Sequence, residues 1–254
     1  MRRDPRRSSR LLKTIYEKLF RRFGRQYWWP GETSFEIIVG AILTQNTNWG
    51  NVEKAIRNLK EKGILYPYAF YKIPPRRLAA LIKPAGSFNV KTKRLKNFMR
   101  FLFEEYEGDL SRMKKEKWQD LRRKLLSVNG IGPETADSIL LYALEKPVFV
   151  VDAYTKRVLY RHNFISNDME YHDIQDLMMR SFKRDIKLFN EYHALIVRLG
   201  KDHCKPSARC EKCPLRTVEY SLKYKCVSCH RALTKEERST LAKRSPYYCS
   251  HCQR

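Results

Sequence analysis

Apolar residues recur at spacings of three and four through most of the first 200 positions. In the stretch 91–106 they are Leu95, Phe98, Met99, Leu102, Phe103 and Tyr106, which fall on one helical face. Leu11, Leu12, Ile15, Leu19 and Phe23 repeat the pattern. So do Ile174, Leu177, Met178 and Phe182, and then Leu188, Tyr192, Leu195, Ile196 and Leu199. The run from Phe35 to Leu43 is almost wholly apolar, and periodicity does not distinguish a buried helix from a strand there. No series of alternating strands occurs elsewhere, so a buried helix is expected. Breakers separate the segments at Trp29-Pro30-Gly31, Ile73-Pro74-Pro75, Pro84-Ala85-Gly86 and Asn129-Gly130-Ile131-Gly132-Pro133. These elements predict an all-α fold. Composition divides the chain into a basic N-terminal arm (1–10), a helical domain (11–215) and a small cysteine-rich module (216–254). Residues 201–254 hold 13 basic and five acidic side chains, and helical periodicity weakens there.

Charge narrows the partners. The 52 Lys and Arg residues outnumber 27 Asp and Glu, for a net charge of +25. That excess points to an anionic partner, with nucleic acid first and an anionic membrane surface second. No apolar run approaches the ~20 residues of a membrane span. No signal-peptide core follows the first ten residues, so the expected address is the cytoplasm, associated with the nucleoid. Nothing in the sequence suggests an oligomer interface, and a monomer is expected.

The seven cysteines are Cys204, Cys210, Cys213, Cys226, Cys229, Cys249 and Cys252. An odd number grouped as CxxC pairs, without a secretory signal, favours metal over disulfides. Cys226-x2-Cys229 and Cys249-x2-Cys252 have the spacing of a four-cysteine ribbon around Zn2+. Cys204-x5-Cys210-x2-Cys213 leaves alternatives open, because a fourth ligand would have to be Cys226, which breaks the ribbon, or a non-cysteine such as His203.

The segment from Leu125 to Leu140 is the most informative. A helical pattern ends at Val128, a tight Asn-Gly-Ile-Gly turn follows, and Pro133 suits the first position of a new helix. Gly130 and Gly132, flanking Ile131, let backbone N–H groups approach a phosphate, and a helix N-terminus adds partial positive charge. An ordinary helix connection with a glycine cap is the alternative. Further on, Asp152 sits where it would N-cap a helix from Ala153 to Arg161.

Together these segments resemble the endonuclease III, or helix-hairpin-helix GPD, superfamily of DNA glycosylases. The resemblance runs from the hairpin into Lys146-Pro-Val-Phe-Val-Val-Asp-Ala-Tyr-Thr-Lys-Arg157. It implies a two-lobed helical fold, with Asp152 as the catalytic carboxylate. A carboxylate held at a helix start stays ionised, and a fixed negative charge stabilises the oxocarbenium ion that develops as a base–sugar bond breaks. Bifunctional members carry a Schiff-base lysine in the hairpin's second helix, where this chain has Glu134. The departure argues for a monofunctional enzyme.

Tyr27-Trp28-Trp29-Pro30, the stretch Phe35 to Trp49 and the stretch Leu81 to Leu95 are similar to the superfamily's 3-methyladenine DNA glycosylases. That likeness implies that Trp28, Trp29 and Trp49 sandwich an extruded base, although core packing is the usual fate of Trp. It also implies that Gln45 and Asn46 enter the duplex and that Phe88 lies in a second DNA-contacting loop, as a wedge or as core. Lys91, Lys93, Arg94 and Lys96 are expected to face phosphates. His193 is expected to be a satisfied core histidine. By the same resemblance Cys204, Cys210 and Cys213 sit where a [4Fe–4S] motif begins, one residue short in the first gap, so an iron–sulfur cluster beside the zinc ribbon is a further expectation. The implied activity is hydrolytic removal of alkylated purines from duplex DNA in base excision repair. An endonuclease III-like glycosylase/AP lyase acting on oxidised pyrimidines is one rival, and a non-catalytic damage-binding protein is another.

Overall fold

The computed structural model describes residues 5–218; Cys226, Cys229, Cys249 and Cys252 lie outside them, as does most of the expected 216–254 module. In chain order the helices are α1 (Pro5–Phe23), α2 (Ser34–Leu43), α3 (Trp49–Glu61), α4 (Pro67–Lys72), α5 (Pro75–Leu81), α6 (Phe88–Tyr106), α7 (Leu110–Lys115), α8 (Trp118–Ser127), α9 (Pro133–Ser138), α10 (Ala153–Arg161), α11 (Tyr171–Ser181) and α12 (Ile186–Asp202). A 3-10 turn spans Lys83–Ala85 and a π-helical turn spans Ile139–Ala143. No strand occurs among the described residues. Helix α1 begins at Pro5, inside the segment expected to be an arm.

The chain forms two compact units, one from residues 29–150 and one from both flanking segments, with the boundaries after Trp28 and after Val150. The central unit is organised around α2, the expected buried helix. Thr33 caps its start by accepting a hydrogen bond from the Glu36 N–H. Ile38, Ile42 and Leu43 are wholly buried, and Phe35 and Val39 nearly so. Helices α3, α6 and α9 and the π turn pack against it. Helix α6 presents Leu95, Phe98, Met99, Leu102 and Tyr106 to the same core, as its periodicity predicts. Phe103, placed on that face by spacing, instead stacks on Tyr71 with centroids 4.1 Å apart.

Helices α8 and α9 form the expected hairpin in this unit. Asp137 of α9 is fully buried, and Arg122 of α8 grips it with two hydrogen bonds, Nε to Oδ1 at 2.7 Å and Nη2 to Oδ2 at 3.0 Å. A planar guanidinium matches a carboxylate in this fork geometry. After Ser138 the helix widens by one residue per turn, with the Leu144 N–H donating to the Ile139 carbonyl, five positions back. Periodicity gives no warning of this, because the apolar run from Ile139 to Leu144 fits either geometry.

The second described unit contains α1, α10, α11 and α12. Leu12, Ile15 and Leu19 of α1 are buried, with Tyr192 of α12 wholly enclosed beside them. The Tyr192 hydroxyl donates to the Leu12 carbonyl at 2.9 Å, and its ring meets Tyr16 and Phe182 edge-on. Helices α10 and α12 come close because Gly200 has no side chain: a Cβ there would sit 2.1 Å from Tyr154 Cδ1.

Removing one partner of a buried ion pair leaves an uncompensated charge. Asp137→Asn is therefore expected to lower unfolding stability by about 3 kcal/mol, read from denaturant unfolding at constant m-value.

Candidate active site and nucleic-acid interface

The hairpin turn is braced from inside its own unit. The Asn129 carbonyl accepts from Asn97 Nδ2 at 2.9 Å, and the Gly130 carbonyl accepts from Gln45 Nε2 at 3.0 Å. Gln45 Nε2 also donates to Thr135 Oγ1, and Gln45 Oε1 accepts from Arg94 Nη1 at 2.5 Å. Gly130 has φ of +96°, and a Cβ there would lie 2.3 Å from Arg94 Cγ. Glycine is needed both for the left-handed backbone and for the passing Arg94 stem. Around Gly132, by contrast, nothing stands within 4 Å of a Cβ position, so that backbone is open to approach. Gly132 caps α9 in extended conformation, with Pro133 in its first turn.

Several expected DNA-facing groups are corrected by this geometry. The Gln45 amide bonds to the hairpin turn and so braces it. Asn46 is exposed with φ of +53° just beyond α2 and remains open to a partner. The Ile131 side chain is in the core and its N–H donates to the Val128 carbonyl at 3.0 Å, which withdraws it from phosphate binding. Lys91 is buried; its ammonium donates to the Ala85 carbonyl at 2.7 Å, and burial pushes its pKa down. Lys96 donates to the Phe70, Tyr71 and Ile73 carbonyls at the end of α4. Helix C-termini draw cations in this way. Lys93 is exposed, as expected. Phe88 is half-buried against the core. Glu134 is exposed in the first turn of α9, where its charge complements the helix dipole.

The tryptophans fall in both units, since a unit boundary follows Trp28. Trp28 lies under the Lys201 ammonium, 5.7 Å from its ring centre, in a cation–π arrangement. Trp29 meets Trp49 edge-to-face, with centroids 5.1 Å apart and planes at 88°. The two rings form one continuous aromatic cluster. Tyr142, on the π turn, joins it 5.1 Å from Trp29. Sequence reasoning passed over Tyr142 because it lies inside an apolar run. Both tryptophans lie over Gly40 of α2, with Trp29 Nε1 3.4 Å and Trp49 Cη2 3.7 Å from its Cβ position.

Asp152 caps α10, the helix expected from Ala153 to Arg161. Its Oδ1 accepts from the Thr155 N–H at 2.7 Å. Its Oδ2 lies 3.6 Å from His193 Nε2 of α12, and both side chains are buried. Burial pushes the carboxyl up, but the neighbouring His193 and the Thr155 hydrogen bonds outweigh it and hold Asp152 below the ordinary carboxylate range. His193 is therefore more than a satisfied core histidine: it faces the one buried carboxylate of the loop before α10. The sequence signal for it was weak, because the two residues are 41 positions apart on different helices.

Arg157 and Arg161, further along α10, clamp the cysteine loop. Arg157 Nε donates to the Cys204 carbonyl at 2.6 Å. The buried Arg161 guanidinium reaches Cys204 Sγ at 3.2 Å and the Lys205 and Pro206 carbonyls at 2.7 Å. Burial pushes the Cys210 and Cys213 thiols up, Cys213 to about 12. The described residues supply three thiols for an iron–sulfur cluster and no fourth cysteine, and no three His, Cys, Asp or Glu side chains among them converge as metal ligands. Among the described residues this donor set does not complete a [4Fe–4S] site. A cavity of about 400 Å3 lies against this loop, lined by His203, Arg209, Cys210 and Lys212 among others. No helix among the described residues is long and apolar enough to cross a membrane.

Residues 39–184 match the HhH-GPD superfamily of base excision DNA repair proteins. A protein of Methanocaldococcus jannaschii designated a DNA repair glycosylase is 46% identical over 208 residues, covering 81% of this chain and 94% of its own. Endonuclease III of Thermotoga maritima is 27% identical over 210 residues, covering 81% and 91%. Among solved structures, the Helicobacter pylori 3-methyladenine DNA glycosylase bound to 1,N6-ethenoadenine superposes with a TM-score of 0.65 at 27% identity, covering 78% of this chain and 98% of that one. A non-covalent endonuclease III–DNA complex superposes with a TM-score of 0.71 at 21% identity, covering 83% and 94%, a likeness of fold. With more than half its length matching the family, and a braced hairpin followed by a buried, ionised aspartate, this chain belongs to the HhH-GPD superfamily of base excision DNA repair proteins.

Proposed function

We propose that this protein is a monofunctional DNA glycosylase that binds duplex DNA, extrudes a damaged base and hydrolyses its N-glycosidic bond, with alkylated purines such as 3-methyladenine as substrates. The observation that carries the reading is the buried Asp152 carboxylate at the start of α10, with Oδ1 accepting from the Thr155 N–H and Oδ2 3.6 Å from His193 Nε2, surroundings that hold its carboxyl below the ordinary carboxylate range. Burying a carboxylate is unfavourable, and a structure that keeps it ionised has a use for the charge. As the bond between C1′ and the base nitrogen lengthens, its electron pair leaves with the base and positive charge grows on the sugar. Asp152 stabilises that charge and orients the water whose oxygen bonds to C1′ as a proton is released.

A purine methylated at N3 or N7 is already cationic and departs neutral, so little general-acid help is required. Its positive charge is attracted to aromatic faces. Trp29, Trp49 and Tyr142 supply such a surface, and Trp28 is included with them on the strength of the family likeness. The likeness to a 3-methyladenine glycosylase bound to a modified adenine supports this substrate class. The open backbone at Gly132, the exposed Lys93 and Asn46, and the net charge of +25 support duplex binding through phosphates.

The relatedness to endonuclease III favours a second reading, a glycosylase/AP lyase acting on oxidised pyrimidines. Glu134 counts against it, because a carboxylate forms no Schiff base with the sugar. A zinc ribbon of Cys226, Cys229, Cys249 and Cys252, an unusual iron–sulfur cluster or the remnant of one at Cys204, Cys210 and Cys213 beside it, a monomeric state and a nucleoid-associated cytoplasmic location are proposed on sequence grounds.

Dimethyl-sulfate-treated duplex DNA incubated with the full chain is expected to release 3-methyladenine or 7-methylguanine. Asp152→Asn should lower that release by at least about a hundredfold, with DNA affinity little changed, since an interaction made only in the transition state is removed. Absence of release by the wild type overturns the substrate class. Borohydride reduction on abasic duplex DNA should trap no covalent adduct, and a trapped adduct would favour the lyase reading.

A further inference from the structure

Among the described residues, several polar groups on neighbouring elements have partners of their own. On its own helix, Arg157 and Arg161 are directed at the cysteine loop. From α11, the Tyr171 hydroxyl accepts from the Val151 N–H at 3.2 Å, just ahead of Asp152. Residues 148–151 are apolar and buried. The Thr155 N–H donates to Oδ1. His193 Nε2 faces Oδ2 at 3.6 Å, across the α10–α12 contact which Gly200 permits.

At 3.6 Å the contact is longer than a hydrogen bond and acts as a charge–dipole or ion-pair interaction. Its strength is raised by burial on both sides, since little water screens it. An apolar side chain would fill the same space in α12, where Ala194, Leu195 and Ile196 are all buried neighbours.

We infer that His193 is a positioning residue for base excision: facing Oδ2 of Asp152 at 3.6 Å from α12, it holds that carboxylate in place at the start of α10. The inference rests on the proposed role of Asp152. Thr155 and His193 have separate jobs, one capping the helix through Oδ1 and one guarding the oxygen left for the reacting sugar. The imidazole does not touch substrate in this account; it acts through the carboxylate.

The sign of the pH effect follows from the direction of the Asp152 shift. Burial raises the carboxyl, and His193 with Thr155 lowers it below its ordinary value. Activity that needs the ionised form is present above the Asp152 pKa and is lost as pH falls through it. Removing His193 leaves burial opposed by Thr155 alone, so the acid limb must move to higher pH.

The test compares wild type, His193→Leu, His193→Gln and Asp152→Asn in single-turnover release of methylated purines from dimethyl-sulfate-treated duplex DNA across the acid range, with DNA affinity measured separately. His193→Leu should shift the acid limb upward by about one unit, which makes it about tenfold slower on that limb. DNA affinity should be unchanged, and His193→Gln, whose amide can donate to Oδ2, should recover part of the shift. An inactive Asp152→Asn beside a His193→Leu variant with the wild-type rate and acid limb overturns the inference while leaving the glycosylase reading intact. An active Asp152→Asn overturns the reading of Asp152 itself. Carboxyl carbon NMR of wild-type protein decides the matter if His193→Leu does not fold: the Asp152 carboxyl should titrate below the ordinary range, and titration within or above it overturns the inference.

Discussion

A buried carboxylate at the start of a helix is the constraint on which the unit containing α1, α10, α11 and α12 depends. Asp152 sits at the junction between an apolar strap, residues 148–151, and the first turn of α10. Its charge is tolerable there because the Thr155 N–H and His193 meet one oxygen each. Both conditions depend on packing at a distance. Helix α12 must lie close enough to bring His193 in, and Gly200 makes the close approach possible by leaving space for Tyr154. Tyr192, bonded to the Leu12 carbonyl, ties α12 to α1 in turn.

The hairpin in the central unit solves a related problem with neutral groups. A sharp turn leaves carbonyls without helical partners. Here Asn97 and Gln45 take up those of Asn129 and Gly130 from the inner side. Gln45 in turn is fixed by Arg94, whose stem fills the space that a side chain at Gly130 would need. The bracing residues come from α6 and from the segment after α2, so the turn is held rigid by elements distant in sequence. The buried Arg122–Asp137 pair locks the two hairpin helices together. A preset turn with open backbone at Gly132 loses little conformational freedom on meeting a phosphate.

Basic side chains divide into two populations. Lys91 and Lys96 spend their charge on helix and turn carbonyls, and Arg122, Arg157 and Arg161 hold buried partners. Lys93 represents the other population, exposed and open to a polyanion. Net charge therefore overstates the number of groups facing DNA, although it gives the sign of the partner correctly.

Local chemistry was legible in the chain itself. The apolar run 35–43, the glycine turn at 130–132 and the Asp152 cap each depend on neighbours within one or two helical turns, and the sequence carries those neighbours side by side. The family likeness rested on the same short segments. What the tertiary structure alone decided are the pairings across long separations: His193 with Asp152, Gln45 with the hairpin, Arg161 with Cys204, Tyr142 with Trp29, and the burial of Lys91. A polar side chain's role is set by what it meets, and for an amide, an imidazole or an ammonium the options range from core brace to ligand contact. Periodicity reports which face of a helix is buried. It does not report which distant group lies across from that face, because that depends on how close two helices come, and here single glycines settle the distance.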